Sequence, residues 1–463
     1  QIIFILVGYI INFWLARYLG PNNYGLYGVI ISFLNIIRLI STGGFSQAVS
    51  KYCAEDENLA YSIKTSILKI LTPFSIFIAI ACYFSIPFIA NILRDNKLIP
   101  FLRISILIIP LSTIYAIFIG YFNGLHLFNK QSYLSITYSL LKLVFIILLS
   151  IYFGLYGTIV GFIVATAGTI SVGIFFSEKG EVHYFNSFKL VKFALPIGIY
   201  SITLLLLINL NILMIKSILR ENILTGYYNA SHMLANIPIF LLSGVFGVIV
   251  LPAISSSIKR QSMKKTKNLI NRWIKLSLII SLPITFLFSF TSSKLINFFY
   301  TEKYAPSSKS LSILIYGMVL LAIFDILASI LKGAGKPYIP MIIALVSLIF
   351  NFILNLYLIP NYQLVGAAIS TSIAGLLAVI LTSYIIYKEF RVLISIKSFL
   401  KIILASLITT IPAIFIIIPK ILLPIEYMIS IAIYFIVLYF IKEITREDIE
   451  KIRQTLITFI PWL

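Results

Sequence analysis

The stretch LARYLGPNNYGLYGVI, from Leu15 to Ile30, ends one apolar helix with an arginine and a Gly-Pro-Asn-Asn break, and then opens a second apolar helix. About two hundred residues later, the stretch ILRENILTGYYNASHML, from Ile218 to Leu234, has nearly the same order of features. Glycine, proline and asparagine clusters interrupt helices and mark turns. Each stretch therefore predicts two apolar helices joined by a short corner, and the corner occurs once in each half of the chain.

The composition extends this pattern to the whole chain. Of 463 residues, 60% are hydrophobic and only 11% are charged, whereas soluble chains average about 25% charged residues. Runs of roughly 20 apolar residues, each long enough to cross a bilayer core, recur from end to end. In hydrocarbon the backbone must satisfy its own hydrogen bonds, which favours helices. The sequence therefore predicts an all-α polytopic membrane protein.

We predict about fourteen transmembrane helices, and no connection between them is long enough to form a catalytic domain. The predicted spans lie approximately at 2–18, 24–42, 67–87, 100–122, 134–153, 155–176, 191–215, 226–253, 276–298, 311–331, 340–359, 365–387, 400–418 and 421–441.

A repeat relates the two halves. The tripeptide at 25–27 matches that at 226–228 with an offset of 201 residues, and Gly157 matches Gly366 with an offset of 209. Six spans in each half make the halves parallel, an arrangement in which transporter lobes rock about a central site. The predicted parts are two pseudo-symmetric six-helix lobes at 1–176 and 191–387, a cytoplasmic linker at 177–190, two extra C-terminal helices at 398–441, and a cytoplasmic tail at 442–463.

The basic residues predict the orientation. Apart from Arg38 and Lys142, which lie inside spans, 24 of 34 basic residues fall in or beside the connections after even-numbered spans or in the tail. Basic residues accumulate on the cytoplasmic side, so both termini are expected there, in a multi-pass protein of the cell membrane. The chain starts inside an apolar segment without an initiating methionine, so we expect a truncated N-terminus.

The charge and the rare residue types exclude several classes of function. The net charge of +21 comes mostly from residues between spans, so it reflects topology and no nucleic-acid partner is expected. Two cysteines and three histidines form no ligand motif, so neither a metal site nor a cofactor is predicted.

Four stretches resemble the polysaccharide flippase (Wzx-type) family: LARYLGPNNYGLYGVI, STGGFSQAVSKYCAED, GYYNASHML and VIVLPAISSS. The resemblance covers nearly the whole chain and extends to a superfamily that also holds the lipid II flippases and the MATE multidrug exporters. It implies a two-lobed core of twelve helices with two extra helices. It also implies alternating-access movement of a polyprenyl-diphosphate-linked oligosaccharide to the outer leaflet, for surface polysaccharide or glycan biosynthesis. The implied partners are this substrate, membrane lipids and enzymes of the glycan pathway, and we expect a monomer.

Ionisable residues inside a span are expected to face protein or water, because lipid disfavours them. Arg38 lies deep in the second span with Asn35 one turn before it, and Lys142 lies in the fifth span. Guanidinium groups match phosphate geometry, so these three residues are candidates for binding the diphosphate. The alternative is that the two long side chains reach the membrane interface.

Asp325 is the one carboxylate well inside a predicted span, with Lys332 seven residues later. It is a candidate for ion coupling, through a proton or a cation. Alternatively, it is the structural partner of Lys332.

Further candidates for substrate binding lie in three other spans. Asn209 and Lys216 share one face of the seventh span, and Lys216 approaches the predicted outer end, where the repeat also places Arg17. Asn351 belongs to a polar stripe in the eleventh span. The alternatives, which the sequence favours, are that the two cations are solvated helix ends and that the stripe forms hydrogen bonds between helices.

Two other functions compete with transport of a glycolipid. A cation-coupled multidrug exporter of the MATE type needs intramembrane carboxylates, and the spans offer essentially Asp325. A membrane-embedded enzyme of glycan assembly needs acid, base or metal groups, usually on a large outer loop. The predicted outer loops are short, so we do not expect an enzyme.

Overall fold

The fold is helical throughout the part of the chain that the computed structural model describes. These are residues 2–178, 180, 181, 183–260, 262–415 and 419–443, with side chains except at 2, 243–245, 247 and 248. The α-helices are α1 (Ile2–Thr42), α2 (Phe45–Glu55), α3 (Ala60–Ile92), α4 (Leu98–Ser105), α5 (Ile108–Gly124), α6 (Phe128–Phe176), α7 (Ser187–Leu219), α8 (Asn222–Ala235), α9 (Ile237–Lys259), α10 (Met263–Phe290), α11 (Ser292–Phe299), α12 (Ser307–Gly333), α13 (Tyr338–Phe390), α14 (Ile396–Phe415) and α15 (Leu423–Phe440). Short 3₁₀ turns lie at Glu57–Leu59, Glu302–Tyr304 and Lys420–Leu422.

Within these ranges, ten helical segments are long and apolar enough to cross a membrane. The predicted class, an all-α polytopic membrane protein, is therefore confirmed. The number of fourteen spans stays a prediction, because α1, α6 and α13 each contain a break that divides a very long helix into two arms.

Each break occurs at a residue with a positive φ. Gly20 has φ 70° and ψ 169°. Gly154 (φ 56°, ψ −132°) and Gln363 (φ 49°, ψ −127°) have nearly the same conformation and lie 209 residues apart, the offset of the sequence repeat. Only glycine adopts such angles without steric cost, so Gln363 holds a strained backbone where the first copy has glycine.

The arms of α6 and α13 fold back on themselves in the same way. A Cβ atom on Gly157 would lie 1.8 Å from the carbonyl oxygen of Leu149, and one on Gly366 would lie 2.1 Å from that of Leu358. Backbones can approach this closely only where no side chain intervenes. The matching glycines thus allow two equivalent helical hairpins.

The two copies of the quoted corner pack against each other. We call residues 2–176 the N-terminal block, residues 187–390 the C-terminal block, and the side of the molecule with these corners the corner end. A Cβ atom on Gly25 would lie 2.0 Å from the backbone oxygen of Asn222, and one on Gly226 would lie 2.0 Å from that of Pro21. Each corner therefore needs its glycine to admit the backbone of the other.

The blocks also touch at the other end of α1, where its connection to α2 meets the beginning of α7. A Cβ atom on Gly44 would lie 2.2 Å from the backbone oxygen of Ala194, and one on Gly198 would lie 2.8 Å from that of Gly43. The structure thus holds the blocks together at both ends. The division of the chain into two lobes stays a prediction.

Ion pairs join the last helix, α15, to the C-terminal block. Lys275 of α10 lies 2.9 Å from Glu443, just beyond α15, and Lys294 of α11 lies 2.9 Å from Glu426 of α15. Both carboxylates are buried. Beyond Glu443, the predicted cytoplasmic tail lies outside the described residues, as do residues 179 and 182 of the predicted linker.

Candidate functional site

Arg38 and Lys142 lie in one cationic cluster of the N-terminal block. Arg38 projects from the second arm of α1 with an exposed side chain, and Lys142 is half-buried in the first arm of α6. Lys142, Tyr115 and Tyr138 all lie within electrostatic reach of Arg38. The Lys142 ammonium lies 4.8 Å from the centre of the Phe162 ring and 6.0 Å from that of Tyr138. We call Arg38, Lys142 and these three aromatic residues the cationic cluster.

Within the described part of the chain, the cationic cluster is not neutralised by a carboxylate. Among the described residues, neither Arg38 nor Lys142 takes part in an ion pair. Two like charges close together in a membrane protein raise each other's energy, and an anion between them removes that cost. The arrangement is therefore suited to a phosphate-bearing ligand. Asn35, half-buried, lies one turn before Arg38 on the same helix.

The local structure of α1 fixes the position of Arg38. Its carbonyl oxygen accepts hydrogen bonds from the hydroxyls of Ser41 (2.8 Å) and Thr42 (2.9 Å), three and four residues later. The Thr113 hydroxyl of α5 donates to Ser41 at 3.1 Å. The polar side chains around Arg38 thus tie its helix to α5 and leave the guanidinium open.

Asp325 lies in a different place, between α7 and α12. It accepts a hydrogen bond of 2.8 Å from the hydroxyl of Tyr200, and Lys332 lies 3.9 Å away. The Lys332 ammonium also lies 4.1 Å from the centre of the Tyr200 ring. The carboxylate therefore has both a cation and a donor in contact with it. This geometry is compatible with a structural pair, and the ion-coupling role stays a prediction.

Asn351 belongs to a buried network of amides and hydroxyls. Its side chain and that of Asn355 both donate to the side-chain oxygen of Asn211, at 3.4 and 2.8 Å. Asn211 in turn donates to the hydroxyls of Tyr228 (3.0 Å) and Thr371 (2.6 Å). This network joins α7, α8 and both arms of α13, so its amides are used in contacts between helices.

Sequence reasoning singled out Asn209 and missed Asn211, the centre of this network. Asn209 donates to the backbone oxygen of Leu205 in its own helix at 3.0 Å. Both asparagines are buried, and the two lie on different faces of α7. No signal in the sequence separates the two, because only the structure shows that the face of Asn211 turns toward α13.

Lys216 lies at the corner end and joins the two blocks. Only 1% of its surface is exposed, and its ammonium lies 2.6 Å from a carboxylate oxygen of Asp95, in the connection between α3 and α4. It also donates to the side-chain oxygen of Asn222. We call the contact between Lys216 and Asp95 the corner ion pair. Sequence reasoning missed Asp95, because a loop carboxylate gives no signal of its own.

Arg17 also lies at the corner end and binds backbone. Its Nε and one Nη donate to the carbonyl oxygens of Phe299 (3.0 Å) and Phe298 (2.8 Å), at the C-terminal end of α11. A cation at this end of a helix satisfies carbonyls that have no partner within the helix. The structure therefore brings Arg38 and Lys142 together, and it places Arg17 and Lys216 in a separate contact between the blocks.

Comparison with known proteins places the chain in a family. Residues 14–309 match the family described as polysaccharide biosynthesis protein. The chain belongs to that family. The resemblance seen in the sequence to the polysaccharide flippases is thereby confirmed.

Two relatives match most of the length of this chain. Over 440 residues it is 24% identical to an uncharacterized membrane protein of Methanocaldococcus jannaschii, covering 89% of this chain and 86% of that protein. Over 426 residues it is 22% identical to the lipid II flippase MurJ of Bacillus subtilis, covering 80% of this chain and 75% of that protein.

Solved structures share the fold. A lipid II flippase MurJ in an inward closed conformation superposes with a TM-score of 0.78 at 19% identity, covering 95% of this chain and 97% of that one. An inward-facing MATE family transporter of the MOP superfamily gives 0.67 at 15% identity, covering 83% and 95%. The chain is thus a multi-pass membrane protein with the fold shared by this flippase and this transporter.

Proposed function

We propose that this protein moves a polyprenyl-diphosphate-linked oligosaccharide from the cytoplasmic to the outer leaflet of the cell membrane. The observation that carries the proposal is the cationic cluster, in which Lys142 lies over the rings of Phe162 and Tyr138 within electrostatic reach of Arg38. Neither cation pairs with a carboxylate among the described residues. A diphosphate brings the negative charge that this cluster lacks, and guanidinium binds phosphate oxygens in pairs.

The aromatic residues of the cluster suit the same ligand. Tyr115 and Tyr138 lie with ring centres 5.2 Å apart beside Arg38, and their hydroxyls offer donors to phosphate or sugar oxygens. The prenyl tail needs no site of this kind, because it stays in lipid. Family membership supports a role in polysaccharide biosynthesis, and one relative that matches 80% of the chain is a lipid II flippase.

Movement by alternating access is supported by the contacts at both ends of the blocks. Gly25 and Gly226 bring the corners together, and Gly44 admits Ala194 at the opposite end. Opening one end while the other stays closed gives the cluster access to one side at a time, provided that the ligand binds the two states differently. The proposal includes cytoplasmic termini, a monomeric protein and a supply of substrate from glycan-pathway enzymes.

Export of cationic drugs is the alternative, and the charges argue against it. Asp325, the carboxylate that such a substrate would need, already contacts Lys332 and Tyr200. Arg38 and Lys142 would repel a cationic molecule. Because Asp325 contacts both a cation and a hydroxyl donor, it is the residue to test for ion coupling.

The test is a flipping assay in proteoliposomes, with a polyprenyl-diphosphate oligosaccharide and, separately, a cationic dye. We expect the glycolipid to move and Arg38→Ala or Lys142→Ala to slow it roughly 10- to 100-fold, since a hydrogen bond to a charged group contributes about 1.5–3 kcal/mol. Arg260→Ala is the matched control, because Arg260 is exposed outside the spans. Dye movement without glycolipid movement would replace the proposal with drug export, and full activity of both cluster variants would contradict the role of the cluster.

A further inference from the structure

A cleft of about 610 Å³ opens at the corner end, away from the cationic cluster. One wall is a single stripe of α1, formed by Ile10, Phe13, Trp14 and Arg17, residues that share a helix face because they are spaced by three or four. The other walls come from the end of α11 around Phe298 and from the turn between α14 and α15 at Lys420–Leu422. The cleft thus lies between the N-terminal block, the C-terminal block and the two extra helices.

Polar and apolar groups are separated along this cleft. Arg17 lies three residues before the break at Gly20 and therefore near the helix end, whereas Ile10 lies about 10 Å deeper at 1.5 Å per residue. Between them, the Phe13 ring stacks on that of Phe299 with centres 4.4 Å apart. A cationic rim above an apolar wall is the pattern that fits a phosphate headgroup with its hydrocarbon chain.

The cations at the rim are available to an anion. Arg17 uses two of its N–H groups on backbone carbonyls, and a guanidinium has five. Lys420 lies 3.4 Å from Glu302, but its side chain is 63% exposed and that of Glu302 is 86% exposed. Such an exposed pair contributes little to stability, so a lipid phosphate can replace the carboxylate at Lys420.

We propose that this cleft binds an anionic membrane phospholipid, with its phosphate between Arg17 and Lys420 and an acyl chain along Phe13 and Trp14. The cleft exists only while α1 and α11 are in contact, and Arg17 makes that contact. A lipid that binds one arrangement better shifts the population toward it. The bound lipid therefore favours closure of the corner end.

The test is a titration of the delipidated full chain in detergent with phosphatidylglycerol or phosphatidylcholine of identical acyl chains, followed by thermal unfolding. We expect phosphatidylglycerol to raise the melting temperature more than phosphatidylcholine, and Lys420→Gln to weaken its apparent affinity at least fivefold. Lys303→Gln is the matched control, because Lys303 is an exposed cation of the neighbouring turn that does not line the cleft. Equal responses to the two lipids, or equal affinity in Lys420→Gln and the wild type, would overturn the proposal.

Two further measurements test where the lipid binds and which chemical group is recognised. Lys265 of α10 lies in a separate basic patch. If Lys265→Gln abolishes the stabilisation by phosphatidylglycerol and Lys420→Gln does not, the lipid binds at that patch and the proposal is overturned. Inorganic phosphate should give no comparable shift, because it lacks the chain that the aromatic wall binds. If inorganic phosphate raises the melting temperature as much as the lipid does, the proposal that the ligand is a phospholipid is overturned.

Discussion

Replacing Gly226 with alanine should hold the corner end apart. The new methyl group would lie 2.0 Å from the backbone oxygen of Pro21, and a carbon and a carbonyl oxygen need about 3.3 Å. The helices must therefore separate by roughly 1 Å, which matches the overpacking changes that cost about 1–3 kcal/mol. If this cost falls on the closed state alone, the closed-to-open ratio decreases about 5- to 150-fold.

Labelling of a buried cysteine measures this change. Asn229 faces Gly28 across the contact between α1 and α8, where its Cγ would lie 2.7 Å from an added Cβ. Asn229→Cys, in a chain whose Cys53 and Cys82 are replaced by serine, should react with a maleimide faster when Gly226→Ala is added.

The matched control is Gly8→Ala in α1, where an added Cβ meets nothing within 4 Å. It should leave the labelling rate unchanged and stabilise the helix by about 0.5–1 kcal/mol. If Gly226→Ala labels no faster than Gly8→Ala, the reciprocal glycine contact does not limit closure and the reasoning fails.

Three further predictions concern stability and are measured by thermal unfolding in detergent. Lys216→Met leaves Asp95 without its cation and should cost about 3–5 kcal/mol, whereas adding Asp95→Asn should recover part of the loss; a double variant no better than the single one would contradict the corner ion pair. Gln363→Gly should stabilise the chain by about 1–2 kcal/mol, because it relieves a positive φ that Gly154 adopts freely, and unchanged or lower stability would refute the strain. Burial raises the pKa of Glu443, but hydrogen bonds from Ser398 and Lys275 and the charge of Lys401 hold it below its ordinary value. Its stabilisation is therefore present above the ordinary pKa of a glutamate and lost as the pH falls, so Glu443→Gln should destabilise at pH 7 and much less in acid, and an equal difference at both pH values would contradict this.

The sequence predicted the helical membrane fold because apolar runs and the physics of the bilayer leave few alternatives. The repeated corner was also visible, since glycine and proline mark breaks at a fixed offset. Which helices then meet is a matter of tertiary packing. Nothing in the spacing of Gly25 and Gly226 indicates that each glycine admits the other copy's backbone.

The candidate site was predicted in part, for a related reason. A charge inside a span stands out, so Arg38 and Lys142 were found, and the structure brings them together. Asp95 and Asn211 did not stand out, because a loop carboxylate and a second asparagine two residues after Asn209 are ordinary in sequence. Their roles depend on partners about 120 and 140 residues away, Lys216 and Asn351. The break at Gln363 was not predicted either. A positive φ is usually indicated by glycine in the sequence, and this position has glutamine.

The direct contact between the backbones of the two corners also bears on how well the membrane is sealed against ions. A path that admits a charged headgroup would also conduct protons and small ions if both ends were loosely closed. At Gly25 and Gly226 no side chain separates the helices, so no space is left there for a continuous file of water. On the proposed function, the repeated glycines would therefore limit the leakage of ions at the closed corner, in addition to shaping it.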